Sequence, residues 1–524
     1  MNSSRSSTQR AAIAALLAAC KVGAWVPVIL LTLMNLVSFP CRATAAILGA
    51  PTRGPGQYDT TSGDIPARSP LACAPYAEPT LAIGPGQQAN GILEQAVNYN
   101  YAYYDKTDTQ IFTERLADFF GNGLLPPGFL IGKPQLLFDQ SDPYGYGRFV
   151  LVASAFKPAT HQAWITLGTT FIGTTSYGTS DCTVAIDANR QADGSETSYW
   201  ADEPRVGEDQ TDLIVTAEMK SFANNSSEGA KLWVIPKTQV YNVPLRACPS
   251  SFRASVFPMG FQNSDGTRAV GVIPAKSHAN SSVTYLVSAY PNGGSALNLW
   301  TLNTHTLTLS PSLKGKAVPT KLYSKPPSAP QPGTSTRIST GGKSAPTELT
   351  NAVYQPSVGL WTVHTTACPV GYGLGSCLKW YQIDPVTAAT LQQGYFGYSD
   401  SYVYAPWIVV NHFGDVVIPF NASGSNFYVG TNYAGRYRSD PLNTLQSVSY
   451  ALKAGAGYYQ RGGGTDEFGN SINAPSLRSG GDVDPNNDNL FWIYGAYASG
   501  LNGTCPNNTP NYDWSTEVGL VSFH

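Results

Sequence analysis

Short apolar runs alternate with turns rich in Gly, Asp and Asn along most of the sequence. In the clearest units an apolar run, a turn and a second apolar run follow one another over residues 134–155, 204–219, 406–420 and 475–497, with turns at 141–143, 208–212, 412–415 and 484–488. Runs of this length, which often alternate apolar with polar residues, are typical of β-strands. The pattern therefore predicts four β-hairpins.

Weaker copies of the same unit begin near Leu81, Ser255 and Ala352, which gives seven copies in all. A repeat every ~50–70 residues, with one longer gap, is typical of stacked four-stranded units. Closing such units into a ring removes their exposed edge strands. The sequence therefore predicts an all-β fold, a single β-propeller of seven four-stranded blades, with six or eight blades as variants. Two β-sandwiches split at Lys321–Ser344 are the alternative.

The chain divides into three regions. Residues 1–45 are a leader, residues 46–78 an extended segment, and residues 79–524 the propeller. The Pro/Ser/Gly-rich segment 321–348 is interpreted as a loop inserted between blades, because the repeat occurs on both sides of it. One short helix is predicted at Gln110–Phe120.

Charge and composition narrow the class of function. The 524 residues include 32 Lys plus Arg and 34 Asp plus Glu, for a net charge of −2. This balance argues against nucleic acid as a partner. A chain that is 42% hydrophobic can bury a large core, which excludes global disorder.

The first 45 residues resemble a secretory signal. Arg5 and Arg10 precede an apolar stretch that ends near Phe39, and Ala43-Thr44-Ala45 suits signal peptidase. Cleavage after Ala45 would release a mature chain with no apolar run of about 18 residues, so no membrane span is expected there. A retained anchor, or a lipoprotein processed at Cys20, is the alternative.

Six cysteines remain in the mature chain, and an even number in an exported protein favours disulfides. Cys368 and Cys377 bracket a Gly-rich turn between two strand-like runs, so this pair is the first predicted bridge. Sequons for N-glycosylation occur at Asn224, Asn225, Asn280, Asn421, Asn502 and Asn507.

Several phrases of the chain resemble uncharacterised secreted sialidase-like (BNR-type) β-propellers. These phrases are Ala82–Lys106, Leu136–Phe149, Trp200–Met219, Lys379–Phe396 and Asp482–Ala498. The resemblance covers roughly Pro79 to Phe523 and implies the propeller fold. It implies no single activity, because this architecture hosts sialidases, other glycosidases, polysaccharide lyases and binding proteins. The Ser-x-Asp-x-Gly-x-Thr-Trp box of sialidases has only a partial match, Ser264-Asp265-Gly266-Thr267.

Residues that precede the innermost strands of a propeller converge on one face, where ligands usually bind. On this basis the candidate catalytic residues are Asp202, Glu203 and Asp466. His364, in a predicted strand beside Cys368, is added as the histidine base that a lyase would need. The candidate substrate-binding residues are Tyr199, Trp200, Arg205, Tyr402, Tyr404, Trp407, Tyr459, Arg461, Asn473 and Arg478. Aromatic rings cover the apolar faces of sugars, and arginine binds a uronate bidentately.

Each candidate also has a purely structural interpretation. Asp202 and Glu203 could cap a turn, the tryptophans could pack between blades, and the arginines could pair with buried carboxylates. Asp482, Asp484 and Asp488 form a weak calcium candidate that an Asx-rich turn explains equally well. No other cofactor is expected.

Two hypotheses of function follow. The first is a secreted carbohydrate-active enzyme, either a glycoside hydrolase with a carboxyl pair or a polysaccharide lyase with a Tyr or His base, acting on an extracellular and uronate-containing glycan. The second is a non-catalytic propeller that binds a glycan or a protein. In both hypotheses the protein is a monomer.

Overall fold

The computed structural model describes residues 52–53, 78–86, 91–106, 110–121, 123–142, 147–171, 181–241, 248, 252–335, 337–369, 375–446, 449–459, 478–504 and 510–523. All of them belong to the compact unit Leu48–His524. The described chain is almost entirely β-structure, as the sequence pattern predicts. None of its helices is long and apolar enough to cross a membrane.

Five sheets of four or five strands stand as separate blades. The first contains β2 (Pro79–Ile83), β3 (Ile92–Val97), β4 (Asn100–Asp105) and β5 (Gln110–Arg115). The second contains β6 (Leu130–Asp139), β7 (Arg148–Lys157), β8 (Gln162–Phe171) and β9 (Cys182–Asp187). The third contains β14 (Ile273–Pro274), β16 (Val283–Ala289), β17 (Gly293–Asn303), β18 (Thr308–Ser310) and β19 (Lys316–Ser324).

The last two separate blades come from the C-terminal part of the chain. One contains β24 (Tyr402–Tyr404), β25 (Val409–Val410), β26 (Val416–Gly424), β27 (Phe427–Arg436) and β28 (Tyr450–Lys453). The other contains β29 (Ser479–Asp484), β30 (Asn487–Thr504) and β31 (Pro510–Ser522), with the N-terminal β1 (Thr52–Arg53) as its fourth strand. Pairing of β1 with β31 joins the first and the last of the described strands in one sheet.

The sixth sheet has nine strands and corrects the predicted blade count. It contains β10 (Tyr199–Glu208), β11 (Asp212–Ser221), β12 (Ser227–Pro236), β13 (Ser255–Val256), β15 (Lys276–Ser277), β20 (Leu349–Gln355), β21 (Gly359–Ala367), β22 (Ser376–Asp384) and β23 (Ala389–Phe396). The two-residue strand β15 pairs in parallel with both β10 and β20, so two antiparallel meanders share one sheet. The prediction of seven separate four-stranded blades is therefore wrong, since five sheets stand alone.

The sheets are arranged around one axis. A central cavity is lined by residues of β2, β6, β10, β14, β15, β20, β25 and β29, the early strands of the successive meanders. Neighbouring members of this set contact one another around the cavity, and β2 contacts β29. These early strands, called the first strands below, form a ring. The ring is the β-propeller arrangement that the sequence predicts.

The four predicted hairpins are confirmed. They correspond to β6–β7, β10–β11, β25–β26 and β29–β30, each with its turn where the Gly/Asp/Asn cluster lies. The helix predicted at Gln110–Phe120 is wrong in its first half: Gln110–Arg115 is strand β5, and only α1 (Leu116–Phe119) is helical. Two 3₁₀ turns lie at Pro158–Thr160 and Lys237–Gln239.

The core lies between facing sheets. In one cluster Leu136 and Phe149 of β6 and β7 pack against Ala96 and Tyr101 of β3 and β4. In another, the stacked indoles of Trp361 and Trp380 pack with residues of β26. No single meander can bury both of its apolar faces, so each depends on its neighbours in the ring.

Two disulfides join described cysteines. The predicted Cys368–Cys377 bridge is present and closes the β21–β22 hairpin. The second bridge, Cys182–Cys248, ties β9 to a segment 66 residues later. The sequon at Asn421 is unavailable for a glycan, because its side chain is fully buried and donates hydrogen bonds inside the fold.

A buried charge network joins the far ends of two first strands. The Lys237 ammonium is fully buried, 2.7 Å from Asp139 Oδ2 at the end of β6 and 3.4 Å from Glu208 Oε2 at the end of β10. The Tyr241 hydroxyl donates to the same Asp139 oxygen at 2.7 Å. Lys237 is therefore the cation that compensates a carboxylate withdrawn from water.

We expect Lys237→Met to lower the free energy of unfolding by about 3–5 kcal/mol, because it leaves the Asp139 charge buried without its cation. Urea unfolding measures this loss, and Lys314→Met, at an exposed position, is the control. A loss no larger than that of the control would contradict a stabilising role for the network.

Candidate functional site

Eight charged side chains meet where the first strands begin. This carboxylate–cation cluster consists of Glu78, Lys133, Asp202, Glu203, Arg205, Lys343, Glu348 and Arg478. Most of them lie in the first half of a first strand or immediately before one, and Lys343 comes from the inserted segment. Of the predicted site residues, the structure brings together Asp202, Glu203, Arg205 and Arg478 in this cluster.

A bulge before proline directs two of these side chains. Lys133 precedes Pro134, Glu203 precedes Pro204, and both residues have a positive φ, 56° and 49°. In each strand the pairing register shifts at this point, so two residues face one on the neighbouring strand. Positive φ is costly for a residue with a Cβ, and such strain is typical of functional sites.

The bulge has a direct consequence for Asp202 and Glu203. In a regular strand adjacent side chains point to opposite faces. Here both carboxylates contact the Lys133 ammonium, Asp202 through Oδ1 and Glu203 through Oε1 at 3.6 Å. The bulge therefore brings two consecutive carboxyl groups to one cation.

Glu203 is surrounded by cations from four segments. Arg478 Nη2 donates to Oε2, Lys343 Nζ lies 3.1 Å from Oε1, and Arg205 Nη2 lies 4.0 Å from Oε2. Burial opposes ionisation of Glu203, but Arg478, Lys133 and Arg205 outweigh it and lower its pKa to about 2. Glu203 is therefore a carboxylate at every physiological pH.

Asp202 shifts in the opposite direction. Burial raises the pKa of its carboxyl above the usual 3.8, and the negative charge of Glu203 adds to this, although Lys133 counteracts both. In two-carboxylate catalysis one carboxyl has a raised pKa and acts as the acid, while its neighbour stays ionised. The opposite pKa shifts of Asp202 and Glu203 match this arrangement.

Two further glutamates complete the cluster. Arg205 Nη2 lies 3.2 Å from Glu348 Oε1, so Glu348 and Glu203 share one guanidinium nitrogen and their carboxylate oxygens lie within about 7 Å of each other. Glu78, 2% exposed, contacts the Lys343 ammonium. Together the eight groups comprise four carboxyls and four cations.

A cavity of ≈70 Å³ adjoins the cluster. It is lined by Arg205, Glu348, Arg478, Tyr404, Trp407 and residues 339–343 of the inserted segment, among others. Sites that hold an oligosaccharide-sized ligand are several times larger. The inserted segment forms one wall, so its position limits the space beside Arg205, Glu348 and Arg478.

The predicted aromatic residues divide into two groups. Tyr404 and Trp407 line this cavity; the Tyr404 hydroxyl donates to Ser423 Oγ and the Trp407 indole to the carbonyl of Gly481. Trp200 is buried in a stack with Phe156, with the Lys133 ammonium 5.3 Å from its ring. Tyr199 packs against the same apolar cluster.

The inserted segment covers the other two tyrosines. The Arg337 guanidinium lies 5.6 Å from the ring of Tyr402. The backbone of Tyr459 exchanges hydrogen bonds with the amide side chain of Gln331. The segment therefore contacts aromatic residues predicted to stack on a sugar.

His364 lies apart from the cluster. It is fully buried in β21, with Nδ1 2.8 Å from the Thr347 carbonyl and Nε2 2.9 Å from the Tyr381 hydroxyl. Burial lowers its pKa to about 3. Arg461, Asp466 and Asn473 lie outside the described residues.

The three aspartates of the calcium candidate point to different side chains. Asp482 pairs with Lys276 at 2.5 Å, Asp484 with Lys106 at 2.7 Å, and Asp488 with the ring of His412. Within the described ranges no group of three or more His, Cys, Asp or Glu side chains could hold a metal ion. The Asx-rich turn interpretation accounts for their positions.

Sequence reasoning missed Glu78, Lys133, Lys343 and Glu348. A usable signal was present for two of them: Glu78-Pro79 and Lys133-Pro134 repeat the charged-residue–proline step of Glu203-Pro204 at the start of an apolar run. Lys343 gave no such signal, because it belongs to a segment whose composition predicts only a loop.

Comparison with known proteins gives structural similarities only. No protein-family profile and no curated protein sequence matches the chain. A Hadza microbial sialidase is 10% identical, with a TM-score of 0.38 over 89% of this chain and 68% of that one. A polysaccharide lyase is 8% identical, with a TM-score of 0.34 over 72% and 88%. An ACO/RPE65 chimera is 10% identical, with a TM-score of 0.40 over 71% of each chain.

The lowered pKa of Glu203 predicts a pH-dependent stability. Because its folded-state pKa is about 2 against an ordinary 4.5, the stability it contributes is present above about pH 4.5 and is lost as pH falls towards 2. We expect wild type to be more stable than Glu203→Gln at neutral pH, and the gap between their melting temperatures to narrow across this window. Thermal unfolding at a series of pH values measures it.

The control for this series is Glu196→Gln, at an exposed position. Its difference from wild type should change little over the same window. A gap for Glu203→Gln that stays constant down to pH 2 would contradict the ion-pairing assigned to Glu203.

Proposed function

We propose that the protein is a glycoside hydrolase that acts on an extracellular glycan at the carboxylate–cation cluster. In this proposal Asp202 is the general acid that protonates the leaving oxygen. Glu203 is the ionised partner that faces the anomeric carbon and stabilises the positive charge developing there. The observation that supports it is the pair of consecutive buried carboxyls with opposite pKa shifts on one lysine.

The surrounding groups have supporting roles in this scheme. Lys133 contacts both carboxyls and fixes their relative position. Arg205 and Arg478 hold Glu203 in its charged form. Trp407, half-buried on the wall of the adjoining cavity, offers aromatic surface for a sugar ring.

Hydrolysis has more support than elimination. A lyase needs a base beside the proton that it removes, and the predicted histidine, His364, has both ring nitrogens engaged away from the cluster. The two disulfides are compatible with an oxidising, extracellular compartment.

A second candidate is a propeller that binds a glycan without cleaving it. It is favoured by the smallness of the cavity and by the ion pairs that already satisfy Glu203 and Glu348. The two functions differ in one respect: only the hydrolase requires Asp202 to give up a proton.

We expect Asp202→Asn and Glu203→Gln each to lower hydrolytic activity by about 10²–10⁴-fold, because each removes one member of the acid and carboxylate pair. A panel of acidic and neutral polysaccharides, scored for new reducing ends and for the ultraviolet absorbance of an unsaturated uronate, provides the assay. Asp193→Asn, in an exposed turn, is the control.

We expect wild type to produce new reducing ends without ultraviolet absorbance. Both variants should lose this production of reducing ends. The rate should also fall as pH rises through the raised pKa of Asp202. Activity within twofold of wild type in both variants would remove the pair from the mechanism, and no activity on any substrate would favour the binding protein.

A further inference from the structure

The Lys343 ammonium occupies a position that none of the blades provides. It lies between Glu78 and Glu203, in contact with a carboxylate oxygen of each. Lys343 follows Gly341 and Gly342 in the inserted segment, and this tip, residues 339–344, walls the cavity beside the cluster. The blades thus supply two carboxylates, and a separate segment supplies the cation between them.

Glu78 depends on this cation. Its side chain is 2% exposed, and Lys343 is the ion-pair partner found for it among the described residues. Its second oxygen, Oε2, is buried and accepts no hydrogen bond from the part of the chain that the structure describes. A buried carboxylate in this state requires a positive group close to it.

The two carboxylates show what the position would take if the tip moved. Glu78 would lose the ion-pair partner found for it among the described residues, whereas Glu203 would keep Lys133, Arg205 and Arg478. The vacated position would thus lie between two carboxylates, one of them without its cation. A ligand ammonium would replace it, whereas a carboxylate would increase the imbalance.

The base and the tip of the segment are held by different contacts. Ala329 and Ile338 are fully buried and exchange backbone hydrogen bonds, which anchors the base of the segment. Beyond Ile338 the tip is held by the Lys343 ion pairs and by close packing at Gly342, where a Cβ would lie 2.5 Å from Glu348 Cβ. Thr340 Oγ1 also donates to the Pro327 carbonyl at 2.8 Å, and the Ser344 amide donates to Glu348 Oε2 at 2.9 Å. Movement of the tip would break these contacts and leave the apolar anchor intact.

We propose that the Glu78–Glu203 gap is a subsite for a free amino group of the glycan, and that Lys343 is an internal competitor for it. The ligand class is a glycan that carries unacetylated amino sugars. This inference rests on the proposed function for the location of the glycan but not for the chemistry performed on it.

The test is calorimetric titration of the full chain with a chitosan hexasaccharide and with its fully N-acetylated counterpart, at a mildly acidic pH where the amines are charged. We expect Lys343→Met to bind the chitosan oligomer at least tenfold more tightly than wild type does, with no such gain for the acetylated oligomer. Lys325→Met, an exposed lysine of the same segment, is the matched control and should behave as wild type. Adding Glu78→Gln to Lys343→Met should remove the gain.

An equal gain for both oligomers would overturn the subsite, since the tip would then block access without selecting a charge. No gain for either oligomer, in a variant whose thermal unfolding matches wild type, would also overturn it. If Lys343→Met unfolds, Lys343→Arg keeps the charge, and tighter amine binding by that variant would contradict competition. Binding is measured independently of turnover. Amine-selective binding with no hydrolysis on the panel would support the subsite and reject the hydrolase. Hydrolysis without amine-selective binding would reject the subsite and support the hydrolase.

Discussion

The carboxylate of Glu203 is the constraint on which the centre of this molecule depends. It is buried where the first strands begin and is neutralised by Lys133, Arg205, Lys343 and Arg478, which come from four different segments of the chain. None of these cations is near it in sequence except Arg205. An ion cluster of this kind contributes less to net stability than to geometry, because desolvation offsets much of the attraction. The cluster instead fixes the relative positions of the strand starts from which its side chains come.

The backbone conformation also constrains the positions of these charged side chains. The bulges at Lys133-Pro134 and Glu203-Pro204 hold non-glycine residues at positive φ, and Ala405-Pro406 has the same conformation in another blade. Proline removes a ladder hydrogen bond and the bulge re-aims the preceding side chain. Two of these strained residues, Lys133 and Glu203, thus belong to the charged cluster, and the opposite ends of β6 and β10 are held by the Lys237 network.

Sequence patterns predicted the propeller arrangement and its hairpins, but not the number of blades, and they predicted only part of the site. Period-two alternation and turn residues located the hairpins such as β10–β11, since both signals are local. The blade count was beyond their reach, because the two-residue strand β15 joins two meanders through pairing that no local pattern encodes. For the site, Asp202, Glu203, Arg205 and Arg478 followed from their places at strand starts. Lys343 did not, because its contact with Glu203 spans 140 positions of the chain and depends on the path of a loop.

The central claim is that a glycan reaches Asp202 and Glu203 when the tip 339–344 moves aside. The most direct test is a crystal structure of the Asp202→Asn variant soaked with an oligosaccharide that the panel identifies. The account predicts a glycosidic oxygen within hydrogen-bonding distance of the side chain at position 202, a sugar carbon facing Glu203, and the Lys343 ammonium withdrawn from Glu78. A sugar bound on another surface, with the Lys343 ion pairs intact, would contradict it.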